Sequence, residues 1–288
     1  MAILTAAVAA GCASAPDPGP RADQEVMLVT GSTDGLGREV ARRLAATGAH
    51  VIVHGRNQER GRAVVEEIES SGVGSARFYA ADFGSIDEVG ELGETLLRDY
   101  DRIDVLVNNA GIWIDDSERR VSADGHELHF AVNYLSGFLL TRMLLPRLIE
   151  GAPSRIVNVA SAAQNAIEFD NVMLERDYVH SRAYGQSKLA QILFTMDLAE
   201  ELEGTGVTVT ALHPATLMNT SLVLDIGFEP QSTIEEGTEA VVNLVLSEDA
   251  GTGVYYNGLR QVRANDQAYD RAARERLRIL SRELTGAP

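Results

Sequence analysis

"LVTGSTDGLGREVARRLA", residues 28–45, sets Gly31, Gly35 and Gly37 between a short apolar run and an amphipathic one. The first run reads as a strand, the second as a helix, and the glycines fall in the turn that joins them. Glycine permits a tight turn there and lets a ligand approach the first amides of the helix, an arrangement that receives a pyrophosphate. Any strand-to-helix turn can reach this spacing by chance. Position at the first strand and first helix gives the motif its meaning, and on this reading Gly31, Ser32, Asp34, Gly35, Leu36 and Gly37 hold the phosphates of a dinucleotide.

Outward from this turn, β-branched runs alternate with amphipathic ones: "HVIVHG" (50–55), "RGRAVVEEIESSG" (60–72), "ARFYAAD" (76–82), "VGELGETLLRDY" (89–100) and "IDVLVNN" (103–109). Runs apolar on both faces are what a parallel strand needs between two helix layers, with the helices as crossovers. A long helix over 124–149, a strand at "RIVNVAS" (155–161), a helix opening near Ala183, a strand at "VTVTALHP" (207–214), a last strand at "GVYYNG" (253–258) and an Arg-rich helix continue the pattern. The expectation is an α/β protein: a single-domain Rossmann fold with a doubly wound parallel sheet of about seven strands. Residues 1–24 read as a flexible extension, 25–288 as the domain, and 214–236 as a loop and short-helix flap.

The formal charge of −17 repels nucleic acid and anionic membrane, so an anionic ligand must be held by local donors. One cysteine, Cys12, excludes an internal disulfide. His126 and His129 share a face of the expected helix but lack a third ligand and read as packing or surface residues, so no metal is implied. The start, "MAILTAAVAAGCASAPDPGP", resembles a lipoprotein signal but lacks a basic leader; the preferred reading is a linker on a cytoplasmic protein. No later segment reads as long and apolar enough to span a bilayer.

The second strand ends without the carboxylate that would accept a ribose 2′-hydroxyl. It offers Arg56, whose guanidinium can grip a 2′-phosphate, which favours NADP(H) over NAD(H); a solvated loop arginine is the alternative. Asp82, followed by Phe83, suits an adenine amino group, or else caps a loop.

The 25 basic residues include one lysine, Lys188, four positions after Tyr184. That spacing puts both on one helix face. A phenol has a pKa near about 10, and an ammonium held close is expected to lower it toward a usable value. Arginine is broader and differently directed, and could not readily serve both this phenol and a ribose diol.

"TGSTDGLG" (30–37), "NNAG" (108–111), Asn133 in "FAVNYLSG", Ser161 in "IVNVAS" and "YGQSK" (184–188), in this order across nearly the whole chain, resemble the short-chain dehydrogenase/reductase family. "FAVNYLSGFLLT", "AYGQSKLAQILF" and "LEGTGVTVTALHP" resemble its retinol-dehydrogenase-like branch. The resemblance implies Ser161 as donor to the substrate oxygen, Tyr184 as general acid or base, Lys188 as ribose anchor and electrostatic partner, and Asn133 holding a relay water. It implies that Asn109, Ala110 and Gly111 let the backbone approach the adenosine ribose, and that Pro214 and Thr216, or Thr220, meet the nicotinamide end. The family's usual Pro-Gly is Pro214-Ala215 here, which puts that backbone in doubt, since alanine resists positive φ.

Trp113, Ile114, Leu217, Met218, Leu222, Val223, Ile226 and Phe228, beside Ser161 and Tyr184, are expected to form the substrate wall, with 164–182 contributing. An apolar wall fits a hydrophobic or polycyclic ketone, aldehyde or alcohol. The resemblance also implies a homodimer or homotetramer interface on helices 124–149 and 183–203, with core packing as the alternative. The alternatives are a silent dinucleotide-binding regulator and a nucleotide-sugar dehydratase or epimerase.

Overall fold

The computed structural model describes residues 19–288. Cys12 and the lipoprotein-like stretch lie outside the described residues. Of the expected extension, Gln24 is buried, and its side chain accepts from the Arg21 amide and donates to the Gly48 carbonyl. The ordered fold therefore begins before residue 25.

Val26–Val29 (β1), Gly35–Ala45 (α1), His50–Gly55 (β2), Gln58–Ser70 (α2), Ser75–Ala80 (β3), Ile86–Asp99 (α3) and Val105–Asn108 (β4) make the first half. Each of the first three helices opens on a short polar cap: Asp34, Asn57 and Ser85 accept from the first-turn amides of α1, α2 and α3. The second half holds Leu128–Phe130 (α4), a π-helical turn at Ala131–Leu135, Ser136–Glu150 (α5), Ser154–Val159 (β5), His180–Glu201 (α6) and Val207–His213 (β6). Ser221–Leu224 (α7), Ile234–Leu246 (α8), Val254–Asn257 (β7), Arg260–Val262 (β8) and Arg271–Thr285 (α9) follow.

The sheet has eight strands rather than about seven, in the order β3-β2-β1-β4-β5-β6-β7-β8, and the added β8 runs antiparallel to β7. Period-2 alternation sorts the strands into two cores. Leu28, Leu106 and Ile156, in register with one another, face the layer of α3, α5, α6 and α9, whereas Met27, Val29, Val105, Val107 and Val157 face α1, α2 and α8. Strand order reverses between β1 and β4, so a crevice opens at their carboxyl ends, where the glycine turn and Asn108–Gly111 emerge.

Three boundaries differ from the sequence reading. The helix expected over 124–149 starts at Leu128, because the Glu127 carboxylate caps it through the Phe130 amide. His126 precedes that cap and does not share a helical face with His129. α6 starts at His180, one turn before Ala183, and the flap ends at Thr233, where a capping box with Glu236 opens α8. Leu128–Glu150 is also long and apolar enough to cross a membrane by composition, contrary to expectation. Most of it is buried inside the fold, and that burial accounts for its apolarity.

α6 is buried almost all the way round within one chain. The outer side of α6 carries α9, tied by Arg278 to Asp197 at 2.8 Å and by Arg274 to Glu200. The outer side of α6 is thus packed against the chain's own C-terminal helix.

Candidate active site

Gly31 (φ 63°) and Gly35 (φ 51°) occupy the left-handed region that favours glycine. The turn is locked from below. Asn109 donates to the carbonyls of Thr30 (2.8 Å) and Gly31 (3.1 Å), while the Thr30 hydroxyl accepts from the amides of Asn109 (2.9 Å) and Ala110 (3.0 Å). A Cβ on Gly37 would lie 2.3 Å from the Gly31 carbonyl oxygen and 2.4 Å from Asn109 Nδ2. Gly37→Ala is therefore expected to cost about 1–3 kcal/mol and to lower the thermal midpoint by roughly 2–4 °C per kcal/mol. Calorimetry of the two proteins checks this.

Three residues expected to hold the cofactor turn their side chains inward. The Ser32 hydroxyl donates to the Val29 carbonyl (2.7 Å) and accepts from the His54 amide (3.0 Å). Leu36 joins the core, and Phe83 is buried with its ring stacked on His54 at 4.3 Å. His54, which the sequence reading missed, accepts the Gly31 amide at Nδ1 (3.2 Å). Burial pushes its pKa down to about 4, so it stays neutral and keeps the lone pair this bond needs. Its only sequence signal is a polar side chain inside the β-branched run of β2.

At the adenosine end, Arg56 is exposed at the end of β2 with Nη1 3.5 Å from Asp82 Oδ2. Asp82 Oδ1 accepts from the Gly84 amide at 2.8 Å, so Asp82 caps its loop and faces the guanidinium with its other oxygen. Asp34, besides capping α1, meets Arg60 Nη1 at 3.2 Å and accepts from the Ser221 hydroxyl at 2.9 Å, which joins the glycine turn to α2 and to α7 of the flap.

At the reacting end, Lys188 Nζ lies 5.8 Å from the centroid of the Tyr184 ring. Nζ donates to the Val159 carbonyl (2.9 Å) and to Gln191 Oε1 (3.1 Å). An ammonium has three protons, so one is left for a further acceptor. A Cβ on Gly111 would sit 3.3 Å from Asn133 Oδ1 and 3.4 Å from Nζ, so bare backbone lies where these two side chains converge. That vacant approach and the uncommitted proton fit the ribose of a nicotinamide dinucleotide.

The expected lowering of the Tyr184 pKa is not what the structure shows. Burial raises it, and hydrogen bonding with Ser161 only partly opposes the rise. Desolvation likewise pushes Lys188 down to about 7. Both charged forms lose water, and the ammonium is directed at Val159 and Gln191 rather than at the phenolic oxygen. Tyr184 is thus held protonated, the form a proton donor requires.

Ser161 Oγ accepts from the Ala163 amide at 3.1 Å, which orients the hydroxyl that hydrogen bonds with Tyr184. Its carbonyl accepts from the Tyr255 hydroxyl at 2.9 Å, a support not found from sequence. Asn133 spends its side chain on protein partners. Its Oδ1 accepts the Ile112 amide (2.7 Å), and its Nδ2 donates to the Ile112 carbonyl (3.1 Å) and the Ser187 hydroxyl (2.9 Å). The side chain clamps the exit of β4 to α6; its main chain lies in the π turn, a distortion common at functional sites.

Trp113 packs on Tyr184 with centroids 4.5 Å apart and planes at 31°, and Phe228 of the flap meets Trp113 edge-on at 6.0 Å. Ala215 keeps an ordinary φ; the left-handed residue is Leu217 (φ 46°), so the strain falls two positions after the departure from Pro-Gly. Thr216 is bound to His213 Nε2 at 3.1 Å. Met218 leaves the substrate wall: it packs onto the α1/α8 core, where its sulfur would lie 2.2 Å from a Cβ on Gly237. Among the described residues no cluster of metal-ligating side chains occurs.

The short chain dehydrogenase profile matches residues 25–227. Mouse retinol dehydrogenase 12 is 34% identical over 276 residues, covering 91% of this chain and 86% of that protein. Human retinol dehydrogenase 14 is 40% identical over 214 residues, covering 69% and 63%. Among solved structures, an uncharacterised protein from Mycobacterium paratuberculosis superposes with a TM-score of 0.77 at 28% identity, covering 93% of this chain and 96% of its own. An actinorhodin polyketide ketoreductase variant with NADPH gives 0.66 at 28% identity, covering 82% and 95%.

Proposed function

The chain belongs to the short chain dehydrogenase family, and from that premise we propose that it is an NADP(H)-dependent reductase of a hydrophobic or polycyclic ketone or aldehyde. The observation that carries the reading is the protonated, buried phenol of Tyr184 in hydrogen-bonding contact with the Ser161 hydroxyl, whose oxygen is held by the Ala163 amide. A bound nicotinamide dinucleotide supplies the hydride. Ser161 donates a hydrogen bond to the substrate oxygen, and Tyr184 delivers its proton there as negative charge develops. Lys188 holds the cofactor ribose with its third proton, and Asn133 keeps the β4 exit in place beside it.

Support for the 2′-phosphate comes from the exposed Arg56 guanidinium at the end of β2. The apolar faces of Trp113 and Phe228 support a large substrate, as do relatives named for retinol, a long apolar alcohol.

The test is cofactor oxidation with NADPH beside NADH against ketones of graded size. NADPH is expected to win, with activity rising as the ketone grows. Arg56→Asp is expected to reverse the cofactor preference by roughly tenfold or more, since it removes a charge-assisted contact and adds a repulsive charge. NADH preferred by the unmodified protein overturns the cofactor reading, and oxidation of neither cofactor with any carbonyl overturns the reductase.

A further inference from the structure

Glu127 and His129 are both buried to 1% exposure beside the reacting residues, and none of the chemistry above uses them. His129 Nδ1 lies 2.8 Å from Glu127 Oε1, while His129 Nε2 accepts the Ile114 amide at 3.0 Å. Because an N–H points at Nε2, that nitrogen carries no proton, so Nδ1 carries it and donates to the carboxylate. Glu127 Oε2 accepts the Phe130 amide at 2.8 Å, and the Glu127 amide donates to Met173 Sδ at 3.3 Å.

Burying a carboxylate is costly, and an apolar pair of similar volume would fill the space without that cost. What an apolar pair could not do is hold the Ile114 amide. Ile114 follows Trp113, whose ring covers Tyr184, and the His129 ring meets the same phenol edge-on at 6.3 Å. The chain of contacts runs from helix cap to carboxylate to imidazole to the backbone that carries the indole.

We propose that Glu127 and His129 form a buried positioning pair that fixes Trp113 against the catalytic tyrosine by anchoring the Ile114 amide, and so sets how the carbonyl substrate is received. The pair acts through Trp113 and touches neither substrate nor cofactor. The kinetic part of this proposal rests on the reductase reading; the placement of the indole does not.

The chain has one tryptophan, so its emission reports Trp113 alone. The experiment compares His129→Leu and Glu127→Gln with the unmodified protein by emission maximum, acrylamide quenching, and KM and kcat for a ketone at saturating NADPH. Both variants are expected to shift emission to the red and quench faster. KM should rise on the order of tenfold, the size of one lost buried hydrogen bond, while kcat changes less. In a Trp113→Ala background His129→Leu should leave KM unchanged.

Unaltered emission and quenching in both variants overturn the proposal, as does a KM effect that persists undiminished without Trp113. If His129→Leu does not fold, Glu127→Gln reads the same quantities; if neither folds, the pair belongs to the stability of the domain and the proposal falls. Emission changes in a protein that reduces no carbonyl sink the reductase reading alone.

Discussion

Tyr184→Phe is expected to lower kcat by about 10²–10⁴-fold, the usual worth of a positioned proton donor, with NADPH binding unchanged. The ring stays, so its packing against Trp113 and His129 is kept. Only the hydroxyl, and with it the interaction with Ser161, is removed. Burial raises the phenol's pKa, so near neutral pH the group is a proton donor as charge builds on the substrate oxygen. Ser161 can hydrogen bond to that oxygen but cannot deliver a proton at comparable rate. Fluorescence titration with NADPH beside steady-state reduction separates the two quantities. A variant that binds NADPH and retains activity within tenfold would remove Tyr184 from the proton path. An unmodified protein that binds NADPH and turns over nothing would be a dinucleotide-binding protein instead.

Local chemistry was legible in the sequence wherever a short spacing fixes it. Gly31, Gly35 and Gly37 could be read because the turn between a strand and a helix needs their backbones, and Tyr184 with Lys188 because one helical turn brings them together. The doubly wound sheet followed from runs such as "HVIVHG", which are apolar on both faces. What depends on contacts distant in sequence stayed hidden. Nothing local to "FAVNYLSG" says that the Asn133 amide is consumed by Ile112 and Ser187, 21 and 54 positions away. His54 and Phe83 meet under the glycine turn only because β2 and the exit of β3 lie side by side.

Direction was a second limit. "HPATLMNT" places Leu217 and Met218 near the cofactor's reacting end, but one left-handed residue at 217 turns the chain and sends Met218 toward Gly237. The helix start at Leu128 was missed because a glutamate served as its cap. Nothing local in the sequence marks Glu127; its burial beside His129 is what separates it from the other acidic residues.

Lys188→Met is expected to weaken NADPH binding by one to two orders of magnitude and, more tellingly, to abolish its dependence on pH. The loss has the size of a charge-assisted hydrogen bond to the ribose, about 1.5–3 kcal/mol. Desolvation holds Lys188 near pKa 7 in the free protein, against 10.5 for the ordinary side chain. Below about 7 the amine is charged and donates strongly; above it the free protein must take up a proton to bind as well. Affinity of the unmodified protein should therefore fall as pH rises through 7, while methionine at this position leaves the affinity flat. Folding stability should move the opposite way. The folded-state pKa lies below the unfolded one, so between about 7 and 10.5 the unfolded chain binds more protons, and stability rises with pH across that window relative to Lys188→Met. Below 7 both states are protonated and the cost of burying the ammonium is present in full. A guanidinium cannot release its proton in this range and is broader and differently directed than the ammonium that meets Val159 and Gln191, so Lys188→Arg should give weak, pH-independent binding as well. NADPH titrations and denaturant melts at pH 6, 8 and 10 test both limbs. A wild-type affinity that does not change across pH 7 would mean that Nζ keeps its charge throughout and that its burial is not what sets this site.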